Sequence, residues 1–207
     1  MASRAPELRV IAGGAEREPT EVELLRAFFD GDAGAFGALV RRNQEAVYRV
    51  VRRFAPSRED ARDLAQRAFL SAFEHAQRAR ARFEGGEGEA PFRAWVLRIA
   101  VNLAKNHARD AGRWQWTDLE GLDTVRSERA PAQELLERRE AEVLTRRAVL
   151  LLPPRQREVF ALRVDAGLPF AEVAAVLDIT EGNAKAHFHY AVKRLKEEVA
   201  RLGDVTS

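Results

Sequence analysis

Apolar side chains recur at intervals of three and four residues along most of the chain, which is the spacing of amphipathic helices. A first helix is predicted to begin near residue 21 and to end at residues 30–32, where Asp-Gly-Asp breaks the pattern. A second amphipathic stretch runs over residues 36–54 and stops before Pro56. In no segment do apolar and polar residues alternate over a stretch long enough to predict a strand, so the expected fold class is all-α.

Two longer helices follow, and each has a recognisable beginning. Ser57 can cap the third helix, whose first turn holds acidic groups that suit the positive end of the helix dipole. Its predicted buried stripe consists of Ala61, Leu64, Ala65, Ala68, Phe69, Ala72 and Phe73. After a loop rich in Gly and Glu, Pro91 leads into a fourth long helix. The four helices are expected to form one small domain.

Residues 151–195 predict a helix-turn-helix, the unit that places one helix in the DNA major groove. Pro169 suits the first position of the middle helix, Asp178 tolerates a left-handed backbone, and Thr180 can cap the last helix. The inward stripe of the last helix is Ala184, Phe188, Ala191 and Leu195, which leaves outward or lateral Asn183, Lys185, Ala186, His187, His189, Tyr190, Lys193 and Arg194. An ordinary amphipathic helix with a solvated basic face is the alternative, and the capped turn favours DNA binding.

Composition divides the chain into segments. Residues 1–19 mix Gly, Pro, Ala and charges without period and predict a flexible N-terminal tail. Residues 112–131 have little period and predict a linker between helical domains at residues 20–111 and 132–207. Residues 92–113 hold five basic groups against one acidic group. Such sorting of charge into patches suits a protein that contacts a polyanion at defined places.

Composition also excludes several classes of protein. The 207 residues contain no cysteine, which rules out disulfides, cysteine-ligated zinc and thiol catalysis. No apolar run is long enough for a membrane span, and the N-terminus lacks the apolar core of a signal peptide, so we expect a cytoplasmic protein. We expect neither enzymatic activity nor a cofactor, since no nucleophile motif or phosphate-binding loop is present. His187 and His189 point about 200° apart on a helix, which argues against a metal site.

The fourth helix carries aromatic groups beside cations and amides. Phe92 and Trp95 lie near Arg93, Arg98, Asn102, Lys105, Asn106 and Arg109. Proteins hold unstacked bases with this combination, since stacking contributes ~1–3 kcal/mol per base and cations neutralise the backbone. The alternative is that the aromatic groups belong to the core and the cations to a solvated face. On this segment alone, the alternative is the stronger interpretation.

Three segments in this order carry a resemblance to a known family. Residues 60–73, DARDLAQRAFLSAF, look like the polymerase-binding helix of bacterial sigma factors, and FRAWVLRIAVN at residues 92–102 follows at the right distance. LPPRQREVF at residues 152–160 then precedes the helix-turn-helix. Together these segments resemble the extracytoplasmic-function group of the sigma-70 family, over about residues 21–110 and 132–200.

The resemblance implies a fold and a function. It implies two small helical domains, sigma region 2 and sigma region 4, joined by a flexible linker. Such a protein binds core RNA polymerase, recognises the minus-ten and minus-thirty-five promoter elements, melts DNA and starts transcription of a specific regulon. Partners implied by the family are core RNA polymerase, promoter DNA and an anti-sigma factor. The alternative function is a stand-alone helix-turn-helix transcriptional regulator, in which the N-terminal helices serve dimerisation or sensing.

The resemblance also implies roles for residues of region 2. Core polymerase would be bound by Asp60, Asp63, Gln66 and Leu70. The minus-ten DNA would be bound by Arg93, Trp95, Arg98, Asn102, Lys105 and Asn106. Residues 83–90 would form the loop that captures a flipped base. Arg67 stands where the family usually has an acid, a departure that bears on the polymerase contact.

In region 4 the resemblance implies a surface that reads the minus-thirty-five element. This chain departs from the family's pattern on that surface. The surface would comprise Thr180, Asn183, Lys185, Ala186, His187, His189, Tyr190, Lys193 and Arg194. The family commonly shows Thr-Val-Lys-Ser-Arg-Leu where this chain has NAKAHF at residues 183–188. His187 replaces an Arg that could bond guanine through two donors, and it is largely neutral at physiological pH. We therefore expect a promoter sequence that differs from the family's common one.

Overall fold

The computed structural model describes residues 17–84, 91–111 and 144–206, and every regular element within those ranges is helical. The helices are α1 (Glu21–Phe29), α2 (Ala33–Arg52), α3 (Arg58–Glu84), α4 (Pro91–Ala111), α5 (144–150), α6 (Pro154–Phe160), α7 (Phe170–Leu177) and α8 (Glu181–Thr206). A single π-helical turn, Ala161–Asp165, continues α6. The all-α prediction is confirmed. None of the described helices combines the length and apolarity that crossing a membrane requires.

Three predicted segments fall wholly or mainly outside the described residues. The linker at residues 112–131 lies outside them, as do residues 85–90 of the predicted base-capturing loop. Of the predicted tail, only residues 17–19 are described. Glu18 forms an ion pair with Arg42 of α2 at 3.1 Å, and the Pro19 carbonyl accepts a hydrogen bond from the same guanidinium. The end of the predicted tail is therefore anchored to α2.

Short polar side chains cap the first three helices of the first domain. The Thr20 hydroxyl accepts a hydrogen bond from the Glu23 backbone N–H at 3.2 Å, and the Glu23 carboxylate accepts one from the Thr20 backbone N–H at 2.6 Å. These bonds to Thr20, with Arg17 nearby, lower the pKa of Glu23. The Ser57 hydroxyl accepts a hydrogen bond from the Asp60 backbone N–H at 3.0 Å, so the predicted cap of α3 is confirmed.

Helices α1 to α4 pack around one apolar core. Its fully buried members are Leu39, Val47, Val50, Val51, Leu64, Phe92, Val96, Leu97 and Val101. The predicted burial of Phe73 is wrong, because half of its surface, 50%, is exposed. Its ring packs edge-on against Phe36 at 5.1 Å and its other side faces solvent. The period of α3 identifies the correct side of the helix, but the neighbouring helices leave the edge of that side uncovered.

A buried carboxylate joins three helices of this domain. Glu21, at the start of α1, accepts a hydrogen bond from the Asn43 amide of α2 at 2.8 Å and from the Arg93 backbone N–H of α4 at 3.0 Å. The first N–H groups of a helix have no partner within the helix, so the carboxylate supplies one and also suits the positive end of the α4 dipole. Glu21 therefore fixes where α4 begins.

The second domain, α5 to α8, packs directly against the first. Buried residues of the π-turn and α7, among them Leu162 and Val173, belong to the same apolar cluster as the core of α1 to α4. A smaller cluster of Val149, Leu152, Phe160, Ala191 and Leu195 ties α5 and α6 to α8. The prediction of two small helical domains is confirmed, and the structure adds that their cores are continuous.

Candidate nucleic-acid and polymerase interfaces

The turn between α7 and α8 has the geometry of a helix-turn-helix. Asp178 adopts φ 55° and ψ 54°, the left-handed conformation that the sequence predicts. The Thr180 hydroxyl accepts a hydrogen bond from the Asn183 backbone N–H at 3.2 Å, which confirms the predicted cap. Pro169 was predicted at the first helical position, but it is the N-cap, with ψ 156°, and Phe170 begins the helix. The difference is one residue, because proline's fixed φ fits both positions.

The outer face of α8 is open to solvent over three turns. Thr180, Asn183, Lys185, Ala186, His189, Tyr190, Lys193 and Arg194 are exposed, and His187 is half-buried. Lys185 pairs with Glu181 at 2.7 Å, and both groups are exposed, so the pair is weak and leaves the ammonium available. The predicted minus-thirty-five residues are thus all at least partly accessible, but at 100° per residue those on α8 spread over an arc of about 200°, with Lys185 and His189 about 160° from His187.

The six residues predicted for the minus-ten element do not share one face of α4. At 100° per residue, Trp95, Arg98, Asn102, Lys105 and Asn106 fall within an arc of about 100°, and Arg93 lies outside it. Trp95 packs edge-on against Phe83 at 5.2 Å and Phe92 at 6.1 Å, and is half-buried. Asn102 and Asn106 are exposed, whereas Arg98 is half-buried.

Two of these six residues contact the second domain. The Arg93 guanidinium donates a hydrogen bond to the Ala166 carbonyl just after the π-turn. The Lys105 ammonium lies 3.1 Å from the Glu158 carboxylate of α6. Sequence reasoning found both cations but assigned them to DNA, since nothing local signals a partner more than fifty residues away.

The predicted polymerase-binding residues lie along α3, with different surroundings. The Asp60 carboxylate accepts hydrogen bonds from the Ser57 hydroxyl at 2.6 Å and from the Ser57 backbone N–H at 3.2 Å. Asp60 is therefore part of the cap at the start of α3. Asp63 is exposed and lies 3.5 Å from Arg67, which offsets its charge. Gln66 borders a cavity of about 540 Å³ between α2 and α3, lined also by Val40, Gln44, Glu45, Tyr48, Arg62, Ala65 and Phe69.

An apolar patch extends the side of α3 that carries Gln66. Leu70 is 55% exposed, and Phe73, one turn further on, is exposed to a similar extent. Large apolar groups so exposed and adjacent to a cavity are typical of a surface that a partner covers. The sequence assigns Leu70 to the polymerase contact and Phe73 to the core, because Phe73 fits the periodic pattern of core residues.

A larger cavity, of about 850 Å³, lies between the two domains. Its apolar lining comes from Phe54, Ala108, Leu150, Leu151 and Pro154, and its polar lining from Lys105, Asn106, Arg109, Arg147 and Arg157. Burial lowers the pKa of Arg157, although Glu158 opposes the shift, and the Arg157 guanidinium lies over the Phe54 ring at 5.8 Å. Nearby, burial and the charge of Arg146 lower the pKa of Arg52 to about 10. The junction is therefore rich in cations.

Two family models match the chain. The model of sigma-70 region 2 matches residues 39–113, and the model of sigma-70 region 4 matches residues 135–195. The first match includes α3, α4 and most of α2, and the second includes α5 to α7 with the outer face of α8.

Curated relatives match over most of their length. The chain is 30% identical over 191 residues to the ECF RNA polymerase sigma-E factor of Escherichia coli (strain K12), covering 88% of this chain and 96% of the relative. It is 29% identical over 181 residues to the RNA polymerase sigma-H factor of Pseudomonas aeruginosa, covering 83% of this chain and 90% of the relative.

Solved structures share the fold. CnrH in complex with the cytosolic domain of CnrY superposes with a TM-score of 0.60 at 24% identity, covering 90% of this chain and 99% of that one. The sigma factor RpoE of Bartonella quintana, in complex with the anti-sigma factor NepR, gives a TM-score of 0.59 at 19% identity, covering 80% of this chain and 96% of that one.

Proposed function

This chain belongs to the extracytoplasmic-function group of the sigma-70 family. We propose that separate surfaces of the chain bind core polymerase, the minus-ten element and the minus-thirty-five element. Sigma factors bind core RNA polymerase, recognise promoter DNA and start transcription, and this chain is such an initiation factor. One observation supports this assignment of separate surfaces. The exposed apolar side of α3 and the exposed basic face of α8 lie on different domains.

The polymerase contact is assigned to α3 and the groove beside it. Leu70 and Phe73 supply apolar area, and Gln66 supplies an amide at the edge of the 540 Å³ cavity. Asp63 contributes less net charge than a free carboxylate would, because Arg67 lies beside it. We therefore propose that apolar burial, rather than charge, provides most of the affinity at this surface.

The minus-thirty-five contact is assigned to the outer face of α8. Lys185, Lys193 and Arg194 supply positive charge for phosphates, and Asn183 presents an amide near the start of the helix, where recognition helices contact base edges. His187 lies on the same side of α8 as Asn183 and offers fewer donors than arginine, whereas His189 lies about 160° around the helix from His187. The chain's own promoter preference is proposed to follow from Asn183 and His187.

The minus-ten contact is assigned to α4. Trp95, Arg98, Asn102, Lys105 and Asn106 share one side of this helix, and their amides and cations suit an unpaired strand. Trp95 makes T-shaped contacts with Phe83 and Phe92, so any stacking with a base uses the part of its ring that these contacts leave exposed. Arg93 stays a separate prediction, since it lies outside this arc.

A protein partner and a location follow from the same proposal. The neighbour RpoE is solved with the anti-sigma factor NepR, and we propose that a protein of this class covers the exposed apolar side of α3 here. We propose no catalysis by the chain itself, because phosphodiester formation belongs to the polymerase. The site of action is then the cytoplasm, where bacterial polymerase works.

Mixing the purified chain with core polymerase tests this proposal. A sigma factor comigrates with core on gel filtration and confers binding to promoter DNA that neither component has alone. A stand-alone regulator would instead bind duplex DNA as a free dimer and would not comigrate with core. That second pattern would overturn the assignment of α3 to polymerase.

A further inference from the structure

The cavity between the two domains combines apolar groups with an excess of positive charge. Its volume of about 850 Å³ lies within the range of small-molecule sites, ~300–1,000 Å³. Of the ten described residues that line it, four are Lys or Arg and none is Asp or Glu. Small-molecule sites are mostly apolar, and a few charged groups fix the orientation of the ligand. This lining therefore suits a ligand with an apolar body and a negative charge.

Arg157 lines the cavity without an ion pair to any residue that the structure describes. Its guanidinium donates to the backbone carbonyls of Leu150 and Leu152, the second at 3.1 Å, and lies over the Phe54 ring at 5.8 Å. Burial lowers the pKa of Arg157, although Glu158 opposes the shift, so desolvation disfavours the charge of this group. An anion bound in the cavity would offset that cost.

Two further arginines of the lining lie at the surface. Arg147 of α5 is exposed and forms no ion pair within the part of the chain that the structure describes. Arg109 of α4 is also exposed and donates to the Asn106 amide oxygen at 3.3 Å, which carries no charge. The fourth cation, Lys105, has a carboxylate 3.1 Å away, that of Glu158. Both domains thus supply cations, and most of this charge is available to a ligand.

Leu151 is a large apolar side chain of the lining, yet it is 48% exposed. The lining also includes Pro154, which is exposed, and Phe54, which is buried. Exposed apolar groups beside a cavity are typical of a surface that a ligand or partner covers. Covering Leu151 removes apolar area from water, which stabilises the bound state.

Ion pairs at the junction hold the walls of the cavity in place. Arg53, just after α2, forms two parallel hydrogen bonds with Asp165 of the π-turn, each 2.8 Å long. Lys105 of α4 and Glu158 of α6 form a second pair between the domains. A preformed site loses less conformational freedom on binding than a site that the ligand must order. The cavity can therefore bind a small molecule without a large entropic cost.

We propose that this cavity binds a small amphipathic anion, with an alkyl or aromatic body and one carboxylate or phosphate group. Arg147 and Arg157 hold the anionic group, because a guanidinium forms parallel hydrogen bonds with carboxylate and phosphate. Leu151 and Phe54 contact the apolar body. None of the lining residues belongs to the exposed apolar side of α3 or to the outer face of α8, so the site goes beyond the proposed function.

Decanoate is the probe, and decyltrimethylammonium, with an alkyl chain of similar length and the opposite charge, is its match. Isothermal titration calorimetry on the full chain should show decanoate bound at one site and no saturable binding of the cation. Decyl phosphate in place of decanoate shows which anionic group the site prefers. Arg147→Gln removes the charge and keeps a polar side chain, so decanoate should bind this variant about tenfold more weakly.

Arg78→Gln is the matched control. Arg78 is likewise exposed, forms no ion pair with a described residue and lies on α3 outside the cavity, so this variant should bind decanoate as the wild type does. The chain has no cysteine, so Leu151→Cys provides a single thiol at the cavity. Capping that thiol with a bulky maleimide should abolish decanoate binding, and capping Arg78→Cys should not. If Arg147→Gln loses its helical circular dichroism, the two capped variants decide the test.

Decanoate binding that is weakened by Arg147→Gln and abolished by capping Leu151→Cys supports the site. Three results overturn it: no saturable binding of either anion, equal binding of decanoate and decyltrimethylammonium, or equal losses in the paired variants at positions 147 and 78. The variants leave unchanged Lys105 and Asn106, which the cavity shares with the proposed minus-ten surface. Failure of this site therefore leaves the proposed function intact.

Discussion

Glu21 and Asn43 form a buried hydrogen bond of 2.8 Å that links α1 to α2, and the second Glu21 oxygen accepts the Arg93 backbone N–H at 3.0 Å. Both side chains are almost fully buried. One carboxylate therefore sets the relative positions of α1, α2 and α4, the last of which carries the proposed strand-binding surface.

Glu21→Ala should destabilise the protein. The change leaves the Asn43 amide and the Arg93 N–H without this acceptor, and a buried polar group that loses its partner costs ~1–3 kcal/mol. We expect a fall of about 2 kcal/mol in the free energy of unfolding, measured by urea denaturation with circular dichroism. Glu45→Ala removes an exposed carboxylate paired with Arg49 and should cost less than about 0.5 kcal/mol. Equal losses in the two variants would contradict the role given to Glu21.

Leu70→Ala should weaken polymerase binding without weakening the fold. Leu70 is more than half exposed, so little of its surface contributes to the core. Burial of that surface under a partner contributes up to about 2 kcal/mol, which corresponds to a loss of affinity of about tenfold or somewhat more. Titration of labelled core polymerase measures this loss. Arg78→Ala, exposed about two turns further along α3, should retain wild-type affinity, and a comparable loss there would remove Leu70 from the interface.

Lys185→Ala should reduce the salt dependence of duplex binding. If the ammonium neutralises a phosphate, its removal lowers the slope of log affinity against log salt by about one. Fluorescence titrations at several salt concentrations give that slope. Glu181→Gln frees Lys185 from its 2.7 Å pair and should keep the full slope. An unchanged slope for Lys185→Ala would assign the phosphate contact elsewhere.

Asn183→Ala should change which sequence is preferred. The cap at Thr180 uses the Asn183 backbone N–H and not its side chain, so the helix start is preserved in this variant. Loss of a side-chain contact to a base costs ~1–3 kcal/mol of discrimination at that base pair and little elsewhere. Selection from a randomised duplex library shows whether the variant prefers a different sequence or binds all sequences more weakly. A uniform loss across all sequences would make Asn183 a contact that positions the helix.

The helix-turn-helix could be predicted because its determinants are local. The left-handed Asp178 and the capping Thr180 act within a few residues of themselves, so a short stretch of sequence contains the whole argument. The predicted position of Pro169 is wrong by one residue, because the proline ring suits both the N-cap and the first turn of a helix. Helical period likewise predicted the helices α1 to α4.

The arrangement between domains could not be predicted from these signals. Arg53 and Asp165 are 112 residues apart, and neither belongs to a predicted apolar stripe, so no local pattern pairs them. Phe73 was predicted to be buried because period reports which side of a helix faces inward, and not how far the neighbouring helices cover it. Burial at an edge and pairing across a domain boundary depend on tertiary packing, which a single sequence read locally does not contain.

Mapping the start sites of transcripts tests the central claim most directly. Core polymerase is incubated with bacterial genomic DNA, with and without the purified chain, and the 5′ ends of the RNA are sequenced. A sigma factor predicts new start sites that share two spaced upstream elements, and Asn183→Ala should alter the element farther from the start. Identical start sites with and without the chain, under conditions in which a known sigma factor directs initiation, would contradict the account.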